Sequence, residues 1–241
     1  EAIVKMKKLM ILAVLFTMFF NLNCFAGEGT LQEVQIDESI MVDDSSLKIE
    51  KIAESVQLID ERIIEDGTIE KDYVVTSVYD IGIKQNECGI APDATKTDST
   101  DSIRMNLDTS VTRVTNSYGD LAKVTDFSVS YVKLDSQAVV TKIQVWEDSF
   151  GHIYDSTATN LIYPSRHWTK SLGSKSSGIT PNYTYTINHF SGKSALSNYY
   201  VVLTDTIGYA GTKATFTINR NNSASVWTGS IESHIYLFSE T

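Results

Sequence analysis

From Ile103 onward, apolar and polar residues alternate with a period of two in one run after another. Ile103 to Asn116 alternates, and Ser117, Tyr118, Gly119 and Asp120 then supply turn chemistry. Phe127, Val129 and Tyr131 point one way, with Ser128 and Ser130 between them. Val139 to Trp146 continues the pattern, and Asp148, Ser149, Phe150 and Gly151 read as the next turn. Tyr183, Tyr185 and Ile187 share a face of a further run, and Tyr199 to Thr206, Lys213 to Asn219 and Ser225 to Phe238 follow. In the last, Trp227, Ile231, Ile235 and Leu237 form a predicted core face, which leaves Thr228, Ser230, Glu232 and His234 outside. Alternation with Ser and Thr on the second face is the signature of antiparallel sheet with one wet side. Seven or eight short strands predict an all-β fold, an antiparallel two-sheet β-sandwich of immunoglobulin-like or jelly-roll style. A closed β-barrel is the alternative.

The pattern upstream is different. Residues 28–46 are acidic with scattered apolar positions and predict little order. Leu47, Ile52, Val56 and Ile59 would line one helical face, yet the β-branched content favours strand. Val56 to Ile64 and Thr68 to Tyr79 predict a hairpin around Glu65, Asp66 and Gly67, with Gly67 in the left-handed conformation. That register sets Ile63 opposite Ile69, Arg62 opposite Glu70, Glu61 opposite Lys71, Asp60 opposite Asp72 and Leu58 opposite Val74. Residues 92–102 have linker composition, and Asp93, Asp98 and Asp101 lack the spacing of a calcium loop. The expected organisation is therefore an acidic segment over 27–102, containing the 56–79 hairpin, followed by a β-sandwich domain over 103–241.

Residues 1–26 are predicted to be an export signal. Lys5, Lys7 and Lys8 precede the apolar run Leu9 to Phe20, and Cys24 and Ala26 stand at −3 and −1 of a cut before Gly27. The run is 12 residues, short of the ~20 of a membrane-spanning helix. A lipid anchor on Cys24 is disfavoured by Asn23 before it. The expected location is extracellular, with no membrane span left after cleavage.

Composition sharpens the division. Residues 27–117 hold 20 acidic and 8 basic side chains and only Tyr73 and Tyr79 as aromatics. Residues 118–241 hold 9 of each sign, 18 aromatics and all four histidines. An acidic chain with a formal net charge of −10 and no basic stripe excludes nucleic acid as a partner. With Cys24 removed, Cys88 is a lone thiol among acids, which argues against an activated nucleophile.

The run from Ser110 through Tyr118, Gly119 and Asp120 to Lys123, Val124 and Thr125, with the closing Trp227 to Ile231, resembles uncharacterised secreted β-sandwich proteins of Gram-positive bacteria. The resemblance spans residues 103–238. It implies the fold and the export and carries no active site over.

No constellation in the sequence points to catalysis, metal binding or a cofactor. His152, His167, His189 and His234 are scattered, with no metal-ligand spacing on one element. There is no Gly-x-Ser-x-Gly elbow, and the stretch from Gly173 to Gly178 lacks the ending of a phosphate loop and predicts a surface loop. The predicted binding residues are Tyr163, Arg166, His167, Trp168 and Lys170, a Trp among cations in a Pro/Ser loop, with Trp146 as a second exposed ring. Trp227 reads as core. The sequence thus predicts a secreted, non-enzymatic protein that binds a glycan, peptide or protein. A membrane-active or bacteriocin-like β-protein, and then an extracellular hydrolase, are the alternatives.

Overall fold

A computed structural model describes residues 47–64, 67–83, 101–203, 208–220 and 226–237. The expected signal, Cys88 and most of the linker lie outside these residues. Ten antiparallel strands run in chain order: β1 (Leu47–Ile63), β2 (Ile69–Ile83), β3 (Asp101–Asn116), β4 (Gly119–Lys133), β5 (Ala138–Tyr154), β6 (Leu161–Lys175), β7 (Tyr185–Thr186), β8 (Tyr200–Val202), β9 (Tyr209–Arg220) and β10 (Val226–Tyr236). Among the described residues there is no α-helix, only a 3-10 turn at Ile187–His189, and none is long and apolar enough to cross a membrane.

The strands form one hydrogen-bonded sheet in the order β1-β2-β3-β4-β8-β5-β9-β10, with β6 on β5 and β7 on β4. The sheet curls into a half-barrel. Its inner face is built from alternate residues of nearly every strand. Ile81, Ile103, Leu107, Phe127, Val129 and Tyr131 meet Ile143, Val145, Phe216 and Ile231 in the larger core cluster. Tyr73, Val75, Val111, Ile153, Val201, Ala210 and Ile235 form a second. Each large side chain removed from water here contributes about 1.5–3 kcal/mol. Polar contacts stitch the curl: the Tyr79 hydroxyl donates to the Glu232 carbonyl at 2.6 Å, and the Ser233 hydroxyl to that of Val75 at 3.0 Å. Gly229 marks a close approach of β1 to β10, because a Cβ there would lie 2.7 Å from Ile49 and 2.8 Å from Phe216.

The predicted hairpin is present. Ile63 pairs with Ile69, Arg62 with Glu70, Glu61 with Lys71 and Asp60 with Asp72, and Gly67 has φ +83°. A register irregularity between Leu58 and Asp60 then places Leu58 opposite Tyr73 instead of Val74. The helix-or-strand ambiguity at 47–55 resolves to strand. The hairpin is also continuous with the rest, since β2 pairs with β3 from Ile69 to Gly82, and Leu47, Tyr79, Ile81 and Ile83 belong to the larger core cluster. Composition separates the two halves of the chain; hydrogen bonding joins them.

Several sequence expectations need correction. The long strands have 11–17 residues, not the short lengths expected of a sandwich. One hydrogen-bonded path runs through all of them. Asp148 to Gly151 is not a turn. β5 passes straight through it, and the glycine instead serves an irregularity in the pairing with β6, with φ +146° and no room for a Cβ, which would stand 2.8 Å from the Val202 carbonyl. Tyr163 to Lys170 and Gly173 to Lys175 are strand β6 rather than loops, paired along β5. Gly173 is needed there because Phe190 and Ser191 pack against its backbone. The Tyr183 run yields only the two-residue β7, and the 3-10 turn takes Ile187. Trp227 is half-buried against the core instead of within it.

Candidate functional site

Strand alternation sends Asp148 and Phe150 of β5 to the outer face, since their neighbours Glu147 and Ser149 face inward. β9 and β10 add to that face Tyr209 and, beyond it, His234 and Tyr236. Phe150 pairs with Tyr209, which pairs with Tyr236, and Asp148 pairs with Gly211, which pairs with His234. Gly211 is what lets the second row connect. A Cβ at this position would fall 2.1 Å from the Ser233 carbonyl and 2.4 Å from His234 Cδ2. With no side chain in between, the His234 imidazole lies across β9 and its Nε2 reaches Asp148 Oδ2 at 3.0 Å. From the other side, β6 brings His167, whose Nε2 stands 2.6 Å from Asp148 Oδ1.

One carboxylate therefore bridges two imidazoles. Asp148 and His234 have side chains only 5% exposed, while His167 is 51% exposed. Burial works to raise the Asp148 carboxyl, but hydrogen bonds from both histidines outweigh it and hold the group well below the ordinary carboxylate range. The same bond raises His167, against burial and the charge of Lys213. Tyr209 is pushed upward, first by burial and then by the charges of Asp148 and Glu232. Glu232, also on the outer face of β10, completes a group in which ligand-type atoms of Asp148, Glu232 and His234 all lie within 4.8 Å of one another.

Aromatic rings surround this centre. Tyr209 stacks on His234 with centroids 4.3 Å apart, and Tyr236 sits 5.8 Å from Tyr209. Phe150 is 6.3 Å from Tyr209 and 6.4 Å from His167. The result is a row of five rings, from His167 through Phe150, Tyr209 and His234 to Tyr236, across four strands.

The residues singled out from the sequence are divided by the alternation of β6. His167 joins the outer row. Trp168 turns to the opposite face, stacks on Tyr163 at 6.5 Å and meets Tyr199 edge-on at 5.3 Å, half-buried against the second core cluster. Arg166 lies 4.8 Å over the Tyr163 ring. Lys170 pairs with Glu147, a buried carboxylate that accepts hydrogen bonds from the Ser197 amide, at 2.9 Å, and from its hydroxyl. Burial raises Glu147, while the Ser197 hydrogen bonds and the Lys170 charge oppose this. Trp146 is 8% exposed, which corrects its reading as an exposed ring. The alternation argument placed it away from Ile143 and Val145 but could not show that the outer face is covered there.

Asp148 and His234 were missed. The sequence predicts a turn around the first and a wet face for the second. They are 86 positions apart, and His167 is 19 from Asp148, so no local spacing signals the cluster. The faint signal is Gly211, a glycine in a strand interior, which implies a close approach of other groups. Comparisons with models of known protein families, with characterised proteins and with solved structures find no match for this chain.

Proposed function

We propose that this is an exported, non-enzymatic recognition protein that binds a hydroxyl-rich ligand, a glycan, on the ring row of its outer face. The observation that carries the reading is the row itself. Five rings adjoin one another here around hydrogen-bonding groups. Ring faces stack on sugar rings, and the imidazoles and hydroxyls offer hydrogen bonds to sugar oxygens. Export is supported by the basic, apolar and small-residue pattern of residues 5–26. We read the fold as a two-layer β-sandwich made by curling one sheet, with β1 to β4 in one layer and β5, β9 and β10 in the other.

Binding to insoluble peptidoglycan, chitin and cellulose tests this. Tyr236→Ala should lower affinity by about 1–3 kcal/mol, the range of an interface anchor, with an unchanged melting temperature. Equal binding by wild type and variant would defeat the reading. A second reading, membrane activity, is favoured by exposed apolar side chains at the hairpin tip, with Ile59 at 56% and Ile63 at 75%. Dye release from anionic vesicles, lost in Ile59→Ser/Ile63→Ser, would support it.

A further inference from the structure

The ring row has a centre with a different chemistry, and its argument does not depend on the glycan reading. Among the described residues, several other aspartates are met by arginine, and Asp108 by the hydroxyls of Thr76 and Ser128. Asp80 takes Arg104 Nε at 2.7 Å and Nη2 at 2.9 Å, Asp72 takes Arg62 at 2.6 Å, and Asp135 takes Arg220 at 2.6 Å. Asp148 is instead met by two imidazoles, both through Nε2, with the Glu232 carboxylate close by. Imidazole nitrogen and carboxylate oxygen are the ligands of first-row divalent ions, zinc above all. We propose that Asp148, His234 and Glu232 bind a zinc-class divalent cation, with His167 behind them as the hydrogen-bond partner of the other Asp148 oxygen.

The geometry supports this in three ways. Ligand atoms held at about 2.0–2.2 Å from a tetrahedral ion lie roughly 3.3–3.6 Å apart. The contact of Asp148 to His234, at 3.0 Å, falls just inside that spacing and Glu232 lies within 4.8 Å of both, so small side-chain rotations would admit an ion. The ligands come from β5 and β10, held in register through β9, and the missing side chain of Gly211 keeps the path between Asp148 and His234 open. Tyr209 stacked on His234 fixes the orientation of that imidazole, as the surroundings of metal-ligating histidines commonly do. Glu232 stands opposite Lys213 in the register and would turn from it toward the ion. On binding, His234 would present its Nε2 lone pair to the ion and carry its proton on Nδ1.

Titration calorimetry of the EDTA-treated full chain with zinc chloride tests the proposal, with cobalt(II) absorption as a second measurement. One equivalent should bind with micromolar affinity or better, raise the melting temperature and, for cobalt, give the visible bands of a four-coordinate nitrogen–oxygen site. Glu232→Gln, an exposed position that leaves the fold intact, and His167→Gln should each weaken binding at least 10-fold. His152→Gln, outside the cluster, should leave it unchanged. Absence of saturable binding, or affinity retained in the Glu232→Gln/His234→Gln double variant, would overturn the site. Glycan binding measured with EDTA present separates failure of this site from failure of the recognition reading.

Discussion

The outer face of β1 to β4 and the outer face of β6, β5, β9 and β10 solve the same problem differently. Both place carboxylates on a sheet surface. In the first, cross-strand arginines and hydroxyls absorb them: Asp80 faces Arg104, Asp72 takes Arg62 and Thr112, and Asp108 takes Thr76 and Ser128. In the second, Asp148 is shielded by rings and held by two imidazoles. The charged region reads as structure and the ring region as a place prepared for something else.

The largest effect should come from removing the charged region altogether. Composition treats residues up to 102 as an appendage, but β2 supplies Tyr73, Val75 and Ile81 to the two cores. A chain beginning at residue 103 should lose its cooperative thermal transition, as followed by calorimetry. A sharp transition in that chain would restore the appendage view.

Next is Trp168→Ala. Trp168 packs between Tyr163 and Tyr199 at the opposite face from the ring row, so the variant should lose about 2 kcal/mol of stability in urea unfolding. That is below the ~3–5 kcal/mol of a fully buried ring, because Trp168 is only half-buried. Weakened glycan binding with unchanged stability would move the recognition face to Trp168.

Gly211→Ala should cost about 1–3 kcal/mol through overpacking against Ser233 and His234. The same change should separate His234 from Asp148, seen as a shift of the His234 imidazole resonances in NMR. Unchanged resonances would show that Gly211 does not gate the cluster.

The smallest effect belongs to Asp80→Asn, about 0–1 kcal/mol at neutral pH, since the Arg104 side chain is 43% exposed to solvent that screens the pair. The Arg104 hydrogen bonds lower the Asp80 carboxyl from its ordinary value of 3.8, against burial. The unfolded chain therefore takes up this proton first as pH falls. The stabilisation is present above about pH 4 and is lost as pH drops through and below the ordinary value. Melting curves from pH 7 to 2.5 should converge for wild type and variant at the acid end. Parallel curves would mean the pair contributes nothing through charge.

The hairpin was legible because its information is local: Gly67 and the pairs of oppositely charged or apolar residues specify a register within 20 positions of each other. Strand faces around Phe127, Val129 and Tyr131 were legible for the same reason, a period of two in adjacent residues. Local rules failed at Asp148 to Gly151. Asp, Ser and Gly favour turns in isolation, but flanking strands pair with this segment on both sides and override the preference.

The sequence by itself determined that the protein is antiparallel β, where its inward faces lie along most strands, and how its first hairpin pairs. Only the tertiary structure decided that one sheet curls over its own core, that β6 is a strand dividing His167 from Trp168, and that Asp148, His167 and His234 meet. The reason is range. Periodicity and turn chemistry act over a few residues, whereas the cluster depends on strands 86 positions apart being brought to either side of a glycine.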